Sequence, residues 1–567
     1  MNIIHQSLPA GEAGEVGWDI TAPAGIDSLT YEVSAKEQNG EANDTIRVNQ
    51  KVAEVVPVRT FQATSAQVGK SFSLEVGKPA DAPLEKGGIN VLLRPRLSNG
   101  LGGVSWYMKR YPYTCMEQKV SRAIALRDDS LWRNITAELP SHLDTDGLVK
   151  YFPALSSGSD MLTSYLLSIS NEAGWEIPKY IKEKMEAGLK GFIESRVIRY
   201  SSLPIADLSI RKMAALEALS RSGNTDPKLL GSIAIEPDLW PTSAVIDWMN
   251  VLMRMQDIPD RDRSLKEAEQ ILRARINFQG TTMNFSTEKT DRLWWLMVSG
   301  DLNAVKGILC LSHFDSWNED MPKLVKGAIG RQHRGAWDTT LANAWGVLAM
   351  EKFSEKFEKV AVTGVTTNSA KDVARDIDWS QTPGGGAVMF PWSEGQEKVI
   401  ITHQGTGSPW ATIQSLAAIP LKVPFSSGYT MKKTIIPVEQ KTKGRWSRGD
   451  VARVKLDLEA QADMTWVVVN DPVPAGAAIL GTGLGRDSKL LAKDEKREGW
   501  VWPVFEERSF EAFRAYYEFV PKGKWTIEYT VRLNNEGIFN LPPTRVEALY
   551  APEMMGEAPN KTMEINP

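Results

Sequence analysis

The chain has few of the residues that most often bind metals or form cross-links. It contains five histidines and two cysteines, Cys115 and Cys310, among 567 residues. Two cysteines in so long a chain do not make a disulfide framework, so each cysteine needs its own explanation. Because the histidines and cysteines form no close cluster, we expect neither a zinc site nor another metal or cofactor.

Long hydrophobic runs and strong net charge are also lacking. No stretch approaches the roughly 20 consecutive apolar residues that a membrane span needs, and the opening MNIIHQSLPAGEAGEVGW has no apolar signal-peptide core. The net charge is only −4, which gives no reason to expect a nucleic-acid partner. We therefore predict a soluble chain. Since its N-terminus begins in the middle of what reads like a β-domain, we interpret it as a piece of a longer protein.

The chain is too long for one hydrophobic core, and its patterns divide it into three regions. Residues up to about 104 contain strand-like runs such as LTYEVSA and INVLLRPRL, separated by turn residues. From about 115 to 376 apolar residues recur at helical spacing, as in Val245, Trp248, Leu252 and Met255. After TPGGGAVMF the strand pattern returns in VARVKLDLEA and KWTIEYTVRL. This order predicts a multidomain α+β protein with some ten to twelve helices between two β-regions, packed as a superhelix or a closed ring.

One short segment carries a specific chemistry. In YPYTCMEQ, Gln118 follows Cys115 by three residues. A cysteine sulfur at this spacing can attack the glutamine carboxamide, expel ammonia and leave an internal thioester, because proximity replaces a bimolecular encounter. Such a bond must be shielded from water, and Tyr111 and Tyr113 are large and close enough to contribute. Glu117 supports the motif, although spacing alone assigns it no role.

The segment YPYTCMEQ resembles the thioester motif of the alpha-2-macroglobulin and complement family, whose pattern is Cys, any residue, Glu, Gln. Tyr-Pro-Tyr before the cysteine is typical of the bacterial branch. Further resemblance lies in LANAWGVLAM (341–350), PVPAGAAILGTGLGRDS (472–488) and the long segment 513–557. The chain is thus similar to the C-terminal part of a bacterial alpha-2-macroglobulin over essentially its whole length.

The resemblance implies an architecture. A helical thioester domain, an α/α toroid, is inserted in a β-sandwich called the CUB domain, and macroglobulin-like sandwiches flank both. On this template residues 1–57 end one macroglobulin-like domain, 58–104 and 385–421 form the CUB domain, 105–384 form the thioester domain, and 422–567 form the last macroglobulin-like, receptor-binding-like domain.

The resemblance also implies a function. In the family a protease cleaves a bait region, a conformational change exposes the thioester, and a lysine of the protease attacks it. Here Gln118 is the expected acyl donor and Cys115 the leaving thiolate, so the chain is an endopeptidase inhibitor rather than an enzyme. In bacterial members a motif tyrosine and a C-terminal residue cover the thioester, for which Tyr111 and either Met554 or Met555 are the matches.

Two departures from the family matter. The bait region and earlier domains are absent, so trapping requires a parent that supplies them. No histidine lies between His142 and His313, whereas hydroxyl-preferring relatives use one about a hundred residues after the cysteine, so we infer a preference for amines. The family further implies a periplasmic monomer with a role in bacterial defence, exported and lipid-anchored through its parent.

Other readings compete with the thioester. The alternative is a thiol-dependent enzyme on a helical toroid, with Cys115 as nucleophile and His313 or His333 as base, although no cysteine-protease signature surrounds the cysteine. Another is a lyase or glycosidase using a carboxylate pair such as Asp315 and Asp320, which no spacing argument favours.

Overall fold

The computed structural model describes residues 3–567 except 10, 15, 19, 22, 24, 25, 27, 53, 204, 224, 288–290, 482–491 and 493. Most of the glycine-rich segment 481–488 therefore lies outside the described residues. The chain divides into two compact units, Met1–Pro57 and Val58–Pro567. No helix in the described part of the chain has the length and apolar character to cross a membrane.

The first unit contains an antiparallel hairpin of strands β1 (Ser28–Lys36) and β2 (Asn43–Lys51). Along β1 the half-buried Leu29, Tyr31 and Val33 alternate with exposed residues, as the period of two in a strand dictates. The connecting residues 37–42 read EQNGEA, and Asn and Gly are typical of turns.

The second unit begins with a small sandwich of two four-stranded sheets, which we call the small sandwich. Its sheets have the orders β10-β5-β12-β3 and β4-β11-β8-β9. The core between them contains Val91, Leu93, Ile401 and Ile413. The strands are β3 (Arg59–Gln67), β4 (Ser71–Gly77), β5 (Gly87–Arg94), β8 (Val365–Ala370), β9 (Val373–Asp378), β10 (Gly386–Phe390), β11 (Gln396–Gln404) and β12 (Trp410–Ala417), and the helices and two further strands lie between β5 and β8.

The hairpin of β8 and β9 was missed in the sequence, where 105–384 was read as helical. The last helix ends at Phe357, and the strands that follow join the small sandwich. The side chains that β8 buries include Thr366 and Asn368, so no apolar alternation marks the strand. Burial of Thr366 is tolerated because its hydroxyl is bonded, as when Trp379 Nε1 donates to Thr366 Oγ1 at 2.8 Å.

Eleven α-helices lie in the described part of the chain, accompanied by the short hairpin of β6 (Ile276–Gln279) and β7 (Thr282–Phe285). Side chains cap several of them: Asp128, Ser159, Ser299 and Thr339 each accept a hydrogen bond from the first turn of their helix. The helices are α1 (Gly102–Arg110), α2 (Met116–Leu126), α3 (Asp129–His142), α4 (Asp160–Ala173), α5 (Lys179–Ile193), α6 (Leu208–Ser220), α7 (Thr242–Arg254), α8 (Arg261–Ala274), α9 (Gly300–Leu311), α10 (Met321–Gly330) and α11 (Thr340–Phe357).

Six helices contact one another in a closed order, and we call them the helical ring. Helix α2 contacts α4, which is followed by α6, α7, α9 and α11, and α11 contacts α2 again. The other helices pack on single members or neighbouring pairs of the ring, as α3 does on α2 and α8 on α7. Val245, Trp248 and Leu252 of α7 are fully or almost fully buried, as their spacing predicted.

The last region is a second sandwich, formed by β13–β26 and called here the C-terminal sandwich. A six-stranded sheet of order β13-β25-β24-β17-β21-β20 faces a five-stranded sheet built on β14-β16-β22-β18, with β19 also paired to β22, and a small sheet β15-β26-β23 completes it. The strands are β13 (Phe425–Ser427), β14 (Tyr429–Glu439), β15 (Trp446–Ser447), β16 (Val451–Ala460), β17 (Met464–Pro472), β18 (Ala478–Ile479), β19 (Arg497–Glu498), β20 (Phe505–Arg508), β21 (Ala512–Val520), β22 (Gly523–Arg532), β23 (Gly537–Phe539), β24 (Thr544–Ala548), β25 (Ala551–Ala558) and β26 (Met563–Asn566).

The six-stranded sheet is apolar on both faces, and this positions the site. Val467 and Tyr517 lie in the core of the C-terminal sandwich. Their neighbours Val468 and Tyr516 point to the opposite face, since successive side chains alternate along a strand, and they join the hydrophobic core of the helices. The C-terminal sandwich therefore packs directly on the helical region.

Candidate functional site

Cys115 and Gln118 lie together at the start of α2. Cys115 is the N-cap residue, and its Sγ accepts a hydrogen bond from the backbone of Gln118. In return the Cys115 backbone N–H donates to Oε1 of Gln118, with 3.2 Å between the two atoms. This reciprocal pair satisfies two N–H groups that a helix start would otherwise leave unbonded, with cysteine in the place usually held by serine or threonine. Both side chains are buried.

The amide nitrogen of Gln118 stands out in this arrangement. Nε2 is buried and has no hydrogen-bond partner among the described residues. A buried donor without a partner costs about 1–3 kcal/mol, so native structures rarely keep one without a reason.

The surroundings of Cys115 favour its thiol form over the thiolate. Burial, and after it the nearby Glu117 carboxyl, raises the pKa of Cys115 well above its usual value. A thiol enzyme depends on the thiolate, which this environment disfavours. The two histidines proposed as its base have other neighbours: His313 lines a small cavity with Cys310, and His333 contacts Asp338 at 2.9 Å.

The two tyrosines before Cys115 form an aromatic chain. The Tyr111 ring contacts that of Tyr113 with 5.4 Å between centroids, and Tyr113 contacts Tyr516 of the C-terminal sandwich at 6.3 Å. Arg122 of α2 fixes the segment, because its guanidinium donates to the carbonyl oxygens of Met108 and Tyr111. Tyr113 is buried, whereas Tyr111 remains half-buried.

Residues outside the motif, which its spacing does not indicate, form the rest of the aromatic cover over Cys115 and Gln118. Tyr151, whose carbonyl accepts from the backbone N–H of Met116 at 3.0 Å, stacks on Trp466 of β17 with 3.8 Å between ring centroids. Phe152 stacks on Phe505 of β20 with 4.4 Å between centroids. The sequence of β17, MTWVVVNDP, does indicate such a cover. Its continuous apolar run predicts a strand whose two faces are both covered.

Met554 and Met555 are not part of this cover in the described contacts. Both lie on β25, where Met555 is paired with Glu547. Met554 packs against the core of the C-terminal sandwich itself. The residue that reaches α2 from this end of the chain is Tyr550, just after β24. The resemblance to the family implied Met554 or Met555 as the covering residue of the C-terminal domain, but a match in sequence does not report which face of a strand a side chain occupies.

Glu117 is completely buried and accepts three hydroxyl hydrogen bonds. Ser121 donates to Oε1 at 2.6 Å, Thr340 of α11 donates to the same oxygen at 2.8 Å, and Tyr550 donates to Oε2 at 3.2 Å. Burial raises the pKa of Glu117 to about 7, and the three hydrogen bonds limit the rise.

Comparisons with known proteins agree with the mixed architecture of helices and β-sandwiches described above. The family model of the bacterial alpha-2-macroglobulin MG10 domain matches residues 428–553, within the C-terminal sandwich. A curated alpha-2-macroglobulin homolog from Yersinia pestis is 21% identical over 500 residues, a match that covers 79% of this chain and 24% of the relative. The chain thus spans about a quarter of that relative's length.

Solved structures extend the likeness. Native Escherichia coli alpha-2-macroglobulin, from domain MG7 to the C-terminus, matches with a TM-score of 0.65 and 15% identity, covering 95% of this chain and 88% of that one. Salmonella alpha-2-macroglobulin reacted with methylamine matches with a TM-score of 0.66 and 16% identity, covering 94% and 36%. The fold is therefore the mixed α and β fold seen in macroglobulins. The chain is similar to the bacterial alpha-2-macroglobulins over most of its length, and the resemblance predicted from its sequence is confirmed.

Proposed function

We propose that Cys115 and Gln118 form an internal thioester and that the chain is the covalent part of a broad-spectrum protease inhibitor. The Cys115 sulfur attacks the side-chain carbonyl carbon of Gln118 and a carbon–sulfur bond forms, while the carbon–nitrogen bond breaks and the amide nitrogen leaves as ammonia with the thiol proton. Later a lysine amine of a protease attacks the same carbon. An amide joins the two proteins, and the Cys115 sulfur leaves and takes up the proton.

The observation that carries the proposal is the pairing of Cys115 with Gln118 at the helix start. The two-way hydrogen bonding holds the thiol and the carboxamide against each other before any reaction. The buried, unpartnered Nε2 of Gln118 is the group that thioester formation would expel. Reaction would thus remove an unsatisfied donor from the interior and relieve its cost.

The aromatic cover supports the second requirement, which is exclusion of water. A stored thioester survives only where water and amines cannot reach it. Tyr113, Tyr151, Trp466 and Tyr516 are all buried around the start of α2, and Tyr111 adjoins them. We propose that they shield the bond until the C-terminal sandwich moves away, and that Glu117 supports the motif.

We propose the finer architecture on the same basis. The closed contact order of the helical ring fits an α/α toroid, and the small sandwich, built from segments on both sides of the helices, fits a CUB domain. The domain divisions at 57, 104, 384 and 421 remain proposals, of which the one at 384 would move towards Phe357.

The wider setting is proposed from the relatives. A longer parent would supply the bait region that a protease cleaves, and proteases would be captured through their lysines. The parent would act as a monomer, lipid-anchored in the periplasm, in bacterial defence. Because the chain spans only part of its relatives, these statements concern the whole protein.

Intact-mass measurement tests the proposal. The freshly purified chain should weigh less than its sequence by the mass of one ammonia, and methylamine should add its own mass while releasing one thiol at Cys115. Peptide mapping should place the methylamide on Gln118. The Cys115→Ala variant should have its full sequence mass and take up no methylamine. The Cys310→Ala variant should react like the unmodified chain.

Two outcomes would sink the thioester. One is a full sequence mass at every stage of purification, with the Cys115 thiol free to be alkylated in the folded protein. The other is undiminished covalent capture of a protease by the Cys115→Ala form of the full-length protein.

A further inference from the structure

Glu117 connects parts of the molecule that are remote in sequence. Its carboxyl oxygens are bonded by Ser121 on its own helix α2, by Thr340 at the start of α11, and by Tyr550 of the C-terminal sandwich. The Ser121 hydroxyl also contacts the Tyr165 hydroxyl of α4 at 2.6 Å. One carboxyl therefore joins three members of the helical ring to the C-terminal sandwich.

The contact with Tyr550 crosses the surface that covers the thioester pair. Tyr550 is buried, and it lies in the same hydrophobic cluster as Cys115, Tyr151 and Trp466. The rest of this surface near the pair is dominated by contacts between aromatic rings, which resist separation but have less strict geometry than a hydrogen bond. A hydrogen bond to a buried carboxyl has a defined direction and distance. The bond from Tyr550 to Glu117 therefore fixes the position of the C-terminal sandwich on α2.

We propose that Glu117 is a positioning residue that holds the C-terminal sandwich over Cys115 and Gln118 through the Tyr550 hydroxyl. This inference rests on the proposed thioester for its biological meaning, but the hydrogen bond also controls access to the free Cys115 thiol. Opening the sandwich breaks this hydrogen bond, so the open state is disfavoured by the net stability of the bond relative to one with water.

The groups that face Glu117 from each packed element are uncharged near neutral pH. They are Tyr550 of the C-terminal sandwich, Tyr165 of α4, Tyr151 of the loop before α4, Tyr107 of α1, Tyr111 and Cys115, together with the hydroxyls of Ser121 and Thr340. No cation among these groups compensates a charge on Glu117, and the effect of burial outweighs that of the three hydrogen bonds, so ionisation of Glu117 should weaken closure. Opening admits water and lets the pKa of Glu117 fall towards its ordinary value. Acid should therefore favour the closed state, and a rise in pH should favour opening.

The first experiment uses the Tyr550→Phe variant, which keeps the ring and removes the hydroxyl. Methylamine should react with it about tenfold faster than with the parent chain, a factor equivalent to about 1.4 kcal/mol. Tyr429→Phe is the matched control, because the Tyr429 hydroxyl is buried in the core of the same sandwich without a partner among the described residues. Its rate should stay within about twofold of the parent.

A second arm separates this inference from the thioester itself. In a Gln118→Ala background no thioester can form, and the rate of Cys115 alkylation by iodoacetamide, mapped by peptide mass, reports access alone. Tyr550→Phe should again raise the rate about tenfold at fixed pH. If no chain ever carries a thioester but this difference persists, the proposed function fails and the positioning role stands. Equal alkylation rates with and without the Tyr550 hydroxyl would overturn the positioning role, whatever the thioester does.

The pH profile supplies a readout that a purely structural contact would not move. Glu117→Gln keeps the size and one acceptor oxygen but does not ionise. In the parent, the methylamine rate per free amine should rise between about pH 6 and pH 8 around the pKa of Glu117. Glu117→Gln should give a flat profile. If Tyr550→Phe does not fold, Glu117→Gln tests the inference in its place. A pH profile of Glu117→Gln that parallels that of the unmodified chain would contradict the inference.

Discussion

The backbone nitrogen of Cys115 donates a hydrogen bond to Oε1 of Gln118 across 3.2 Å, while the cysteine sulfur accepts one from the glutamine backbone. The reacting groups of the proposed thioester are therefore also the cap of the helix that carries them. Opening the bond by a lysine would convert Gln118 into a substituted amide and free the Cys115 thiol, without breaking the rest of α2. The helix start can thus hold the unreacted, the thioester and the reacted forms in turn.

Removal of the Trp466 ring should both destabilise the protein and expose Cys115. Trp466 is buried on Tyr151 and adopts a left-handed backbone with φ of 51°, a conformation that a bulky residue adopts only when its surroundings enforce it. We expect Trp466→Ala to lower the free energy of unfolding by about 3–5 kcal/mol in urea titrations and to speed Cys115 alkylation. Trp500→Ala, at a side chain that is 97% exposed, should change stability by less than about 0.5 kcal/mol. Equal effects of the two variants would contradict the packing described here.

The buried ion cluster inside the helical ring should be needed for stability. Although burial alone would raise the pKa of Glu217, Arg221 and Arg254 lower it, and each binds its carboxyl at 2.8 Å. Glu217→Gln removes the charge that both arginines share and leaves the buried Arg221 with Glu172 alone as its counter-charge, so we expect a loss of up to about 3–5 kcal/mol in chemical denaturation. Glu183→Gln, which breaks an exposed pair with Lys179, is the control and should cost less than about 1 kcal/mol.

Stability should fall as pH rises through neutrality because of Glu117. Its pKa is about 7 in the folded chain and near its ordinary value of 4.5 when unfolded. The folded state therefore holds the proton more tightly, so the stabilisation is complete below about pH 4.5 and is lost as pH rises through about 7. Relative to Glu117→Gln, the parent should lose up to about 3 kcal/mol between about pH 5 and pH 8. A difference between the two chains that does not vary with pH would mean that Glu117 does not titrate there.

Gly103 should tolerate no larger residue, because the start of α1 lies directly against another loop. A Cβ atom on Gly103 would lie 2.1 Å from the carbonyl oxygen of Gly335, which is backbone and cannot rotate away. Gly103→Ala should destabilise the chain by about 1–3 kcal/mol in thermal unfolding. Gly330→Ala, at the end of α10 with nothing within 4 Å of the new atom, should stay within about 1 kcal/mol of the parent. A neutral Gly103→Ala would show that α1 and this loop are less close than described.

Many elements followed from local pattern. The run VARVKLDLEA was read as a strand over 451–460 and forms β16 over the same residues, because its apolar residues alternate towards a single core. The helix α7 also followed from its apolar spacing, but its burial on every side did not, because residues 242–252 are all covered by neighbouring elements. The hairpin of β8 and β9 did not, since Thr366 and Asn368 carry its inward positions, and the burial of Thr366 depends on a tertiary contact of its Oγ1 with Nδ1 of His403 on β11 at 2.9 Å.

By itself the sequence determined the relation of Cys115 to Gln118, because a cap and the third residue of its helix are brought together by local backbone geometry alone. It also identified Tyr111 and Tyr113 as neighbours of that pair. Only the tertiary structure decided that Trp466, Tyr516 and Tyr550 are buried with the pair and that Met554 is not. Those side chains lie more than 300 residues along the chain, and no local spacing encodes which face of a distant sheet will pack against α2.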